Sequence, residues 1–534
     1  MAPLGMNAAF GEGLFSIGGD DDSAGIRTAI GGELEDEGGR VASDPTRSAP
    51  RDQMPAQLRA FYEARDNRPA WTGDDDALDH AAEAMKALQH ADEQGLKPGD
   101  YLAYVGDWKT IPRTGADAAK FDIAMTKAVL TYALDVHAGR YAPWQVYKDA
   151  TLPPRHFDAA AALNAGLRRD SLSSFFEALP PVHPGYRYLV AALAHYRAIA
   201  AKGGWGKVKG GDAAAMAKRL AAESGDDAPD DGAVADFQKR NGLDADGDAG
   251  ADTLAALNVP ASVRVNQIIA NMERWRWLPD GFERRYILVN VPDQSAQFVE
   301  DGESKLYSKV IIGKPKTPTP IMRAVVTNVV ANPPWDVPDD IAAKKLSKGC
   351  RADPDCLAAH HMTMATAEDG SFGLQQLPGD DNALGKIMLD APNDYGVYMH
   401  DTPNKNLFDA KVREFSNGCI RTQKIFELAT LVMGMDSDDP NTTLVNAIAT
   451  GETQHLALAR PVPIYVLYWT AAAYEDGSVH FRPDRYGRDQ LLIAKMGESS
   501  KPAVAKPGKT PKHGRPSKGE IVAAAPGAAA AAAQ

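Results

Sequence analysis

The sequence contains no apolar run close to the roughly 20 consecutive residues that a membrane-spanning helix needs, so we predict no segment that crosses a membrane. Positive charge is also in short supply, because 58 Lys and Arg residues against 71 Asp and Glu residues give a formal net charge of -13 at pH 7. A chain this acidic excludes nucleic acid as its general partner. With 44% hydrophobic and 24% charged residues, the composition is otherwise typical of a globular protein.

Cysteine is scarce, with three residues in 534. Cys350 and Cys356 are close enough in sequence to form a disulfide in an oxidising compartment, which would leave Cys419 as the free thiol. Two unpaired thiols are the main alternative, and a metal site that includes His360 and His361 is a remoter one. The sequence alone leaves the state of the pair open.

A recognisable export signal is also missing. Residues 1 to 40 are rich in Gly, Ala, Asp and Glu, without the basic start and long apolar stretch of a secretory signal. Either export uses a segment outside this sequence or the protein stays in the cytoplasm. This pattern does not decide between them.

The length of 534 residues predicts about three or four structural units. Apolar residues recur every three or four positions in the N-terminal half, which indicates helices, and β-type runs follow after residue 284. The expected fold class is multidomain α+β with a mostly β C-terminal domain. The predicted units are a disordered segment (1-50), an all-helical region (51-207), a small three-helix unit (208-260), a mostly β domain with a helical and irregular insertion at about 335-394 (261-497), and a disordered basic tail rich in Ala, Pro and Lys (498-534).

Acidic residues at 244, 246 and 248 invite comparison with a calcium-binding loop. The loop's sixth position would be Ala249 and its twelfth would be Ala255, where Gly and a bidentate Glu belong. A turn between two helices is the better interpretation. We expect neither a metal nor an organic cofactor for this protein.

The run from Ser416 to Arg421 contains Cys419, and His400 stands nineteen residues before this cysteine. The thiolate is the reactive form of cysteine, and a nearby imidazolium or guanidinium lowers the pKa of a thiol. Gly418 allows a sharp turn that can aim an adjacent amide at a developing oxyanion. These residues are the parts of a nucleophilic site, although one Cys and one His are weak indications by themselves.

Further motifs are collinear with this run: Ile312 to Pro315, Thr317 to Pro320, Asn332 to Trp335, Asn382 to Gly385, His400 to Phe408, Leu467 to Thr470 and Phe481 to Asp484. Together the motifs resemble those of the L,D-transpeptidases of bacterial cell walls, with a YkuD-type catalytic domain. More narrowly, they resemble the large type with a lid insertion, a peptidoglycan-binding domain and a helical scaffold. The three-helix unit, with Asp236 to Leu243 and Thr253 to Asn258, resembles that peptidoglycan-binding domain.

The resemblance implies a transferase that uses two peptidoglycan stem peptides, a donor tetrapeptide and an acceptor amine. Cys419 would attack the amide between the third residue of the donor and its terminal D-alanine, forming a thioester and releasing D-alanine. His400 would be the base and then the acid. The acceptor amine would complete a 3-3 cross-link. Carbapenem-type inhibitors are expected to acylate Cys419.

The remaining roles are less specific. Amides of Gly418 and Cys419 are candidate oxyanion donors, and Arg421 either holds a stem carboxylate or pins its loop. Tyr398, two residues before His400 on the same face of a strand, either lines the pocket or packs in the core. Ser416 and Asn417 complete the candidate substrate-binding residues. Many family members have His at the position of Asn417, so a base role there is excluded. Because Asp401 would point to the opposite face of the strand, we expect a backbone carbonyl to orient His400.

Two other functions are kept open. In one, water or a lipoprotein lysine replaces the stem amine as acceptor. In the other, the protein binds the cell wall without catalysis. The family's substrate lies outside the cytoplasmic membrane, so the resemblance implies a periplasmic location.

Overall fold

The computed structural model of the chain describes residues 19–36, 49–106, 110–169, 171–224, 232–338, 341–342, 346, 348–366, 372–434 and 437–497. The predicted tail, 498-534, lies outside the described residues. Among the described residues, no helix combines the length and apolar character that a bilayer crossing requires. The α-helices are α1 (Gly19–Asp36), α2 (Met54–Glu63), α3 (Asp75–Gln89), α4 (Pro98–Val105), α5 (Gly115–Ala138), α6 (Pro143–Val146), α7 (Ala159–Gly166), α8 (Ser173–Ala178), α9 (Pro184–Ala201), α10 (Ala213–Ser224), α11 (Ala233–Arg240), α12 (Ala251–Leu257), α13 (Ala261–Arg276), α14 (Lys348–Arg351), α15 (Pro354–Ala359), α16 (Ile425–Met433), α17 (Pro440–Ala449) and α18 (Arg488–Lys495).

Several helices begin where the sequence supplies a start signal. Proline occupies the first turn of α4, α9 and α17, where its missing N–H costs no intrahelical hydrogen bond. The carboxylates of Asp74 and Asp158 accept hydrogen bonds from the amides of Ala77 and Ala161 at the starts of α3 and α7. Local sequence therefore determines where these helices begin, and burial of their apolar faces stabilises them.

The prediction that residues 1-50 are disordered is wrong for the described part of that segment. Residues 19–36 form α1, and Ile26 and Ile30 are fully buried in the core around α5. Few large apolar residues occur in this stretch, but these two are four positions apart and lie on one face of the helix. Burial of that face offsets the low intrinsic order of a Gly- and Asp-rich sequence.

The strands are β1 (Ala150–Thr151), β2 (Arg285–Asn290), β3 (Ser295–Glu300), β4 (Glu303–Gly313), β5 (Ile321–Ala331), β6 (Trp335–Asp336), β7 (Met362–Thr366), β8 (Phe372–Gln376), β9 (Ile387–Asp390), β10 (Met399–His400), β11 (Glu414–Ser416), β12 (Ile420–Thr422), β13 (Gln454–Leu467), β14 (Ala471–Ala473) and β15 (Val479–Phe481). The main sheet has the order β1-β5-β13-β2-β3-β4-β12-β10-β9, and β11 pairs with β4. Because β9 also pairs with β5, the path returns to its start and the sheet closes on itself. The expected α+β class is confirmed.

The β3–β4 hairpin has a turn that its local sequence favours. Asp301 and Gly302 connect the two strands with φ angles of +51° and +80°. Two successive residues in the left-handed region match the right-handed twist of the flanking strands, and Asp-Gly is a favoured pair for such a turn. Local sequence therefore determines the turn that joins β3 to β4.

The helical region (residues 51-207) is not entirely helical, which corrects one expectation. Its two-residue strand β1 pairs in parallel with β5 of the main sheet, Ala150 opposite Ile321 and Thr151 opposite Met322. The amide of Ile321 also donates to the carbonyl of Asp149 (3.0 Å). A two-residue strand has no periodicity to detect, and its partner lies far away in sequence. The contact places the helical region beside the first residues of β5.

The inserted segment (about 335-394) is expected to be helical and irregular, but its described part also contains four strands, with more residues in strands than in helices. Strands β6, β8 and β7 form a separate three-stranded sheet, while β9 belongs to the main sheet. Two short helices, α14 and α15, pack against each other, and α15 lies beside β7. Leu357, Met362 and Leu374 are buried in a small core of their own. Strands this short are easily mistaken for irregular structure.

Cys350 and Cys356, on α14 and α15, form a disulfide with an S–S distance of 1.99 Å, and Cys419 is a free thiol. The structure thus supports the paired alternative. A short loop closed by a disulfide restricts the unfolded chain and helps to hold the two small helices together.

Counting reactive thiols in unfolded, unreduced protein is expected to give one per chain, and three after reduction, because the sequence contains three cysteines and the bridge uses two. A Cys419→Ala variant should give none before reduction. Three reactive thiols without reductant would contradict the bridge.

Candidate active site

Strands β10 and β12 bring together the residues that the sequence singled out. The two strands pair in parallel, with Met399 opposite Ile420 and His400 opposite Arg421. The amide of Ile420 donates to the carbonyl of Tyr398 at 2.9 Å, which continues the register toward Cys419. Neighbouring strands lie about 4.8 Å apart, and alternate residues share a face. In this register Tyr398, His400, Cys419 and Arg421 are therefore on one face of the sheet.

The turn before Cys419 is held by Ser416. The buried Ser416 Oγ accepts from the amide of Gly418 (3.2 Å) and donates to the carbonyl of Cys419 (2.6 Å). Gly418 has a φ of +124°, a conformation that L side chains rarely adopt. Cys419 itself is half-buried, and its Sγ lies 3.8 Å from the carbonyl of Gly396. The sharp turn predicted at Gly418 is confirmed.

His400 is only 3% exposed, and its Nδ1 lies 2.5 Å from the carbonyl oxygen of Asp401. A carbonyl can only accept, so Nδ1 carries the proton and the deprotonated Nε2 is the nitrogen able to act as a base. The carboxylate of Asp401 instead accepts from the amide of Lys386 (3.0 Å) and pairs with Lys405. The prediction that a backbone carbonyl orients His400 is confirmed.

The resting electrostatics of the pair favour neutral groups. Burial, helped by the nearby charge of Arg421, lowers the pKa of His400 to about 4, although the carbonyls of Asp401 and Leu384 act in the opposite direction. Burial raises the pKa of the Cys419 thiol, while the Tyr398 amide and Arg421 oppose that rise. At neutral pH the site holds an imidazole and a thiol rather than a preformed ion pair.

Arg421 is the charged group nearest to this pair in the register. Burial lowers the pKa of its guanidinium, and the thiolate of Cys419 would act against that shift. Within the described part of the chain, the buried Nε of Arg421 has no hydrogen-bond partner. A buried guanidinium nitrogen without a partner is costly unless a ligand supplies the acceptor.

Three comparisons with known proteins bear on this geometry. Residues 284–464 match the model of the L,D-transpeptidase catalytic domain. The chain carries an L,D-transpeptidase catalytic domain. Residues 56–193 match the Scaffold domain model, and residues 231–257 match the model described as "Putative peptidoglycan binding domain". The catalytic, scaffold and peptidoglycan-binding units expected from the motifs are thus all found, while the domain limits expected from the sequence stay predictions.

A curated protein of Haemophilus influenzae named "Putative L,D-transpeptidase" is 31% identical over 256 residues. The match covers 44% of this chain and 51% of the relative, so the chain spans about half the length of the relative that it matches. Among solved structures, the NMR structure of the E. faecium L,D-transpeptidase catalytic domain acylated by ertapenem is 17% identical, covering 35% of this chain and 99% of that chain with a TM-score of 0.18. Mycobacterium tuberculosis L,D-transpeptidase 1 is 13% identical, and the match covers 34% of this chain and 61% of that chain with a TM-score of 0.16.

The other candidate residues of the transpeptidase domain differ in how they are placed. Ser416 holds the turn from a buried position, and the amide of Gly418 already donates to it, which leaves the Cys419 amide as the better candidate oxyanion donor. Asn417 is exposed beside the nucleophile, and Tyr398 is half-buried on the face shared with His400. The contacts therefore favour a positioning role for Ser416 over direct substrate binding.

Gly385 allows the inserted segment to approach the strand end that carries His400. It has a φ of +66°, and a Cβ at this position would lie 2.5 Å from the Cβ of Asp401. Since the carbonyls of Leu384 and Asp401 both act on His400, this close approach helps to position the imidazole. The sequence showed Gly385 as part of a motif but gave no sign of this contact.

A Gly385→Ala substitution is expected to lower the free energy of unfolding by about 1–3 kcal/mol from backbone strain, with a further loss from the overlap with Asp401. Gly451→Ala is the matched control, because Gly451 has a φ of +73° and open space where the Cβ would be. Urea unfolding should show a larger loss for Gly385→Ala than for Gly451→Ala. Equal losses would contradict a role for the close approach.

Proposed function

We propose that this protein is an L,D-transpeptidase that forms 3-3 cross-links in peptidoglycan through a Cys419 thioester, releasing D-alanine from a donor tetrapeptide stem. The observation that carries the proposal is the register of β10 and β12, which places Cys419, His400 and Arg421 on one face of a domain matched to the family's catalytic model. The match to a peptidoglycan-binding model supports the same substrate class.

In the proposed first step, the thiol proton of Cys419 passes to Nε2 of His400 as sulfur attacks the carbonyl carbon of the donor amide. The Cys419 amide faces the oxyanion of the tetrahedral intermediate. The carbon–nitrogen bond then breaks, His400 returns its proton to the leaving amine, and D-alanine departs. A neutral imidazole and a neutral thiol suit this order of steps, because the proton moves from Cys419 to His400 only as sulfur attacks the substrate.

In the second step, the side-chain amine of the acceptor stem attacks the thioester and loses a proton to His400. The carbon–sulfur bond breaks and the thiol is restored. Arg421, whose Nε lacks a partner in the described part of the chain, is placed to bind a carboxylate of the donor stem in a charge-assisted contact. Asn417 stands at the edge of the site and takes no proton.

The three-helix unit is attached to the transpeptidase domain in a way that supports a shared substrate. Arg264 Nη2 donates to Asn241 (2.7 Å), and Arg482 Nη1 donates to the carbonyl of Arg240 (2.9 Å). Lys411, eight residues before the nucleophile, pairs with Asp244 of the unit. We therefore propose that the unit holds peptidoglycan while the stem reaches Cys419, and that the protein works in the periplasm. Fractionation that finds the protein only in the cytoplasm would overturn this location.

The decisive experiment incubates the purified protein with a disaccharide-tetrapeptide whose stem carries a third-position diamino residue and a terminal D-alanine. Mass spectrometry is expected to show a dimer lighter than two donors by one D-alanine, together with free D-alanine. A tripeptide stem alone is the control and should give no dimer, because it has no D-alanine to release. Tripeptide as the sole product would replace transfer by hydrolysis, and absence of any product would overturn the proposal.

A further inference from the structure

The buried hydroxyl of Thr319 contacts the turn that carries the nucleophile, and it lies outside the Cys419–His400 pair. Thr319 lies in the loop between β4 and β5 and is fully buried. Its Oγ1 donates to the carbonyl of Gly418 (2.8 Å) and accepts from the amide of Gly313 (2.9 Å). The hydroxyl thus links the end of β4 to the residue directly before Cys419.

This contact determines where the amide of Cys419 points. The peptide unit between Gly418 and Cys419 is planar and trans, so its C=O and N–H point in opposite directions. Fixing the carbonyl toward Thr319 therefore aims the Cys419 N–H away from Thr319. Glycine at φ +124° has no side chain to limit rotation of this peptide. Ser416 bonds the Gly418 amide and the Cys419 carbonyl on either side of it, and the hydrogen bond from Thr319 restrains the peptide's own carbonyl.

The backbone of Thr319 is held by Arg488, which in turn pairs with Asp149 of the helical region. The Thr319 carbonyl accepts from Arg488 Nη2 (3.2 Å), and the same nitrogen forms an ion pair with Asp149. Asp149 directly precedes β1 of the helical region, and its own carbonyl accepts from the amide of Ile321. A continuous set of contacts therefore connects the helical region, through Arg488 and Thr319, to Gly418.

We propose that Thr319 is a positioning residue for acyl transfer. Its hydroxyl orients the Gly418–Cys419 peptide so that the Cys419 amide stabilises the developing oxyanion. The Asp149–Arg488 pair holds Thr319 in place. The inference rests on the proposed function for its biological meaning. It also assigns the helical region a part in completing the active site, in addition to any role as a scaffold.

The test separates reactions of Cys419 that form an oxyanion from one that does not. p-Nitrophenyl acetate acylates the thiol through a tetrahedral intermediate: sulfur bonds to the acyl carbon, nitrophenolate leaves, and His400 accepts the thiol proton. Iodoacetamide alkylates the same sulfur by displacing iodide, with no oxyanion. Both probes act without peptidoglycan, so the test remains valid if the transpeptidase proposal fails. Rates measured on Cys419→Ala define the background.

Thr319→Val, which removes the hydroxyl and keeps the shape, is expected to lower the acylation rate about 100-fold, the usual effect of losing one oxyanion donor. The alkylation rate should change less than about threefold, since that step has no oxyanion to stabilise. Thr319→Ser should restore most of the acylation rate. Equal losses in both reactions, an unchanged acylation rate, or no recovery with Ser would each overturn the proposal.

Two further variants complete the test: Thr126→Val is the control for loss of a buried hydroxyl, and Asp149→Asn tests the connection to the helical region. Thr126→Val removes another fully buried hydroxyl, one that contacts Tyr62 and Trp71, and is expected to change neither rate. Asp149→Asn should slow acylation in the same direction as Thr319→Val but less, and should add little when the two are combined. An unchanged acylation rate in Asp149→Asn, or full additivity of the two effects, would overturn the role assigned to the helical region.

Discussion

Replacement of Cys419 by Ala is expected to abolish acylation by carbapenems and by donor stems, while the fold is retained. The covalent route has no nucleophile without the thiol, so the loss should reach the detection limit. The stability cost should be small, because the half-buried side chain is short and its contact with the carbonyl of Gly396, at 3.8 Å, is weak. Intact-protein mass after incubation with a carbapenem should increase by one inhibitor in the wild type and by none in the variant.

A double variant, Cys350→Ala with Cys356→Ala, is the matched control for thiol loss. The two cysteines that it replaces lie in the inserted segment and are bonded to each other in the wild type, while Cys419 is retained as a free thiol. This variant should therefore still gain one inhibitor. An adduct that persists in Cys419→Ala would show that a different group is acylated and would remove the proposed nucleophile.

Elements with regular local patterns could be predicted from the sequence. Strands β2 to β5 show runs of β-branched and apolar residues, and the Asp301–Gly302 pair defines the hairpin between β3 and β4. The Cys419 and His400 positions are predicted from a motif, and the register of two short strands explains why they share one face of the sheet. The elements and the motif were predictable because that information lies in neighbouring residues, whereas the register does not.

Contacts between distant parts of the chain could not be predicted in the same way. Thr319 and Gly418 are 99 residues apart, Thr319 and Arg488 are 169 apart, and Arg488 and Asp149 are 339 apart. No periodicity or spacing connects such positions, and a two-residue strand such as β1 gives no pattern. The motif around Thr319 was visible, but its role depends on which carbonyl the hydroxyl meets.

The protonation state of His400 was likewise invisible in the sequence, because it depends on burial. A pKa of about 4 in the folded protein lies below the ordinary value of 6.5. Between these two pH values the unfolded chain binds more protons than the folded protein, so stability falls as the pH drops. From pH 7 to pH 4.5 the loss attributable to His400 should be roughly 2 kcal/mol.

His400→Gln is expected to remove this part of the pH dependence and to slow acylation at pH 7 by about 10²- to 10⁴-fold, the usual contribution of a general base. Urea unfolding at pH 7 and 4.5 should show a smaller difference for the variant than for the wild type, whereas the exposed His455 replaced by Gln should behave as the wild type does. In the wild type, the acid limb of kcat/KM should lie near pH 4, because the neutral imidazole is the active form. An acid limb near pH 6.5 would show that burial does not lower the pKa of His400 in the free enzyme, and this prediction would then be wrong.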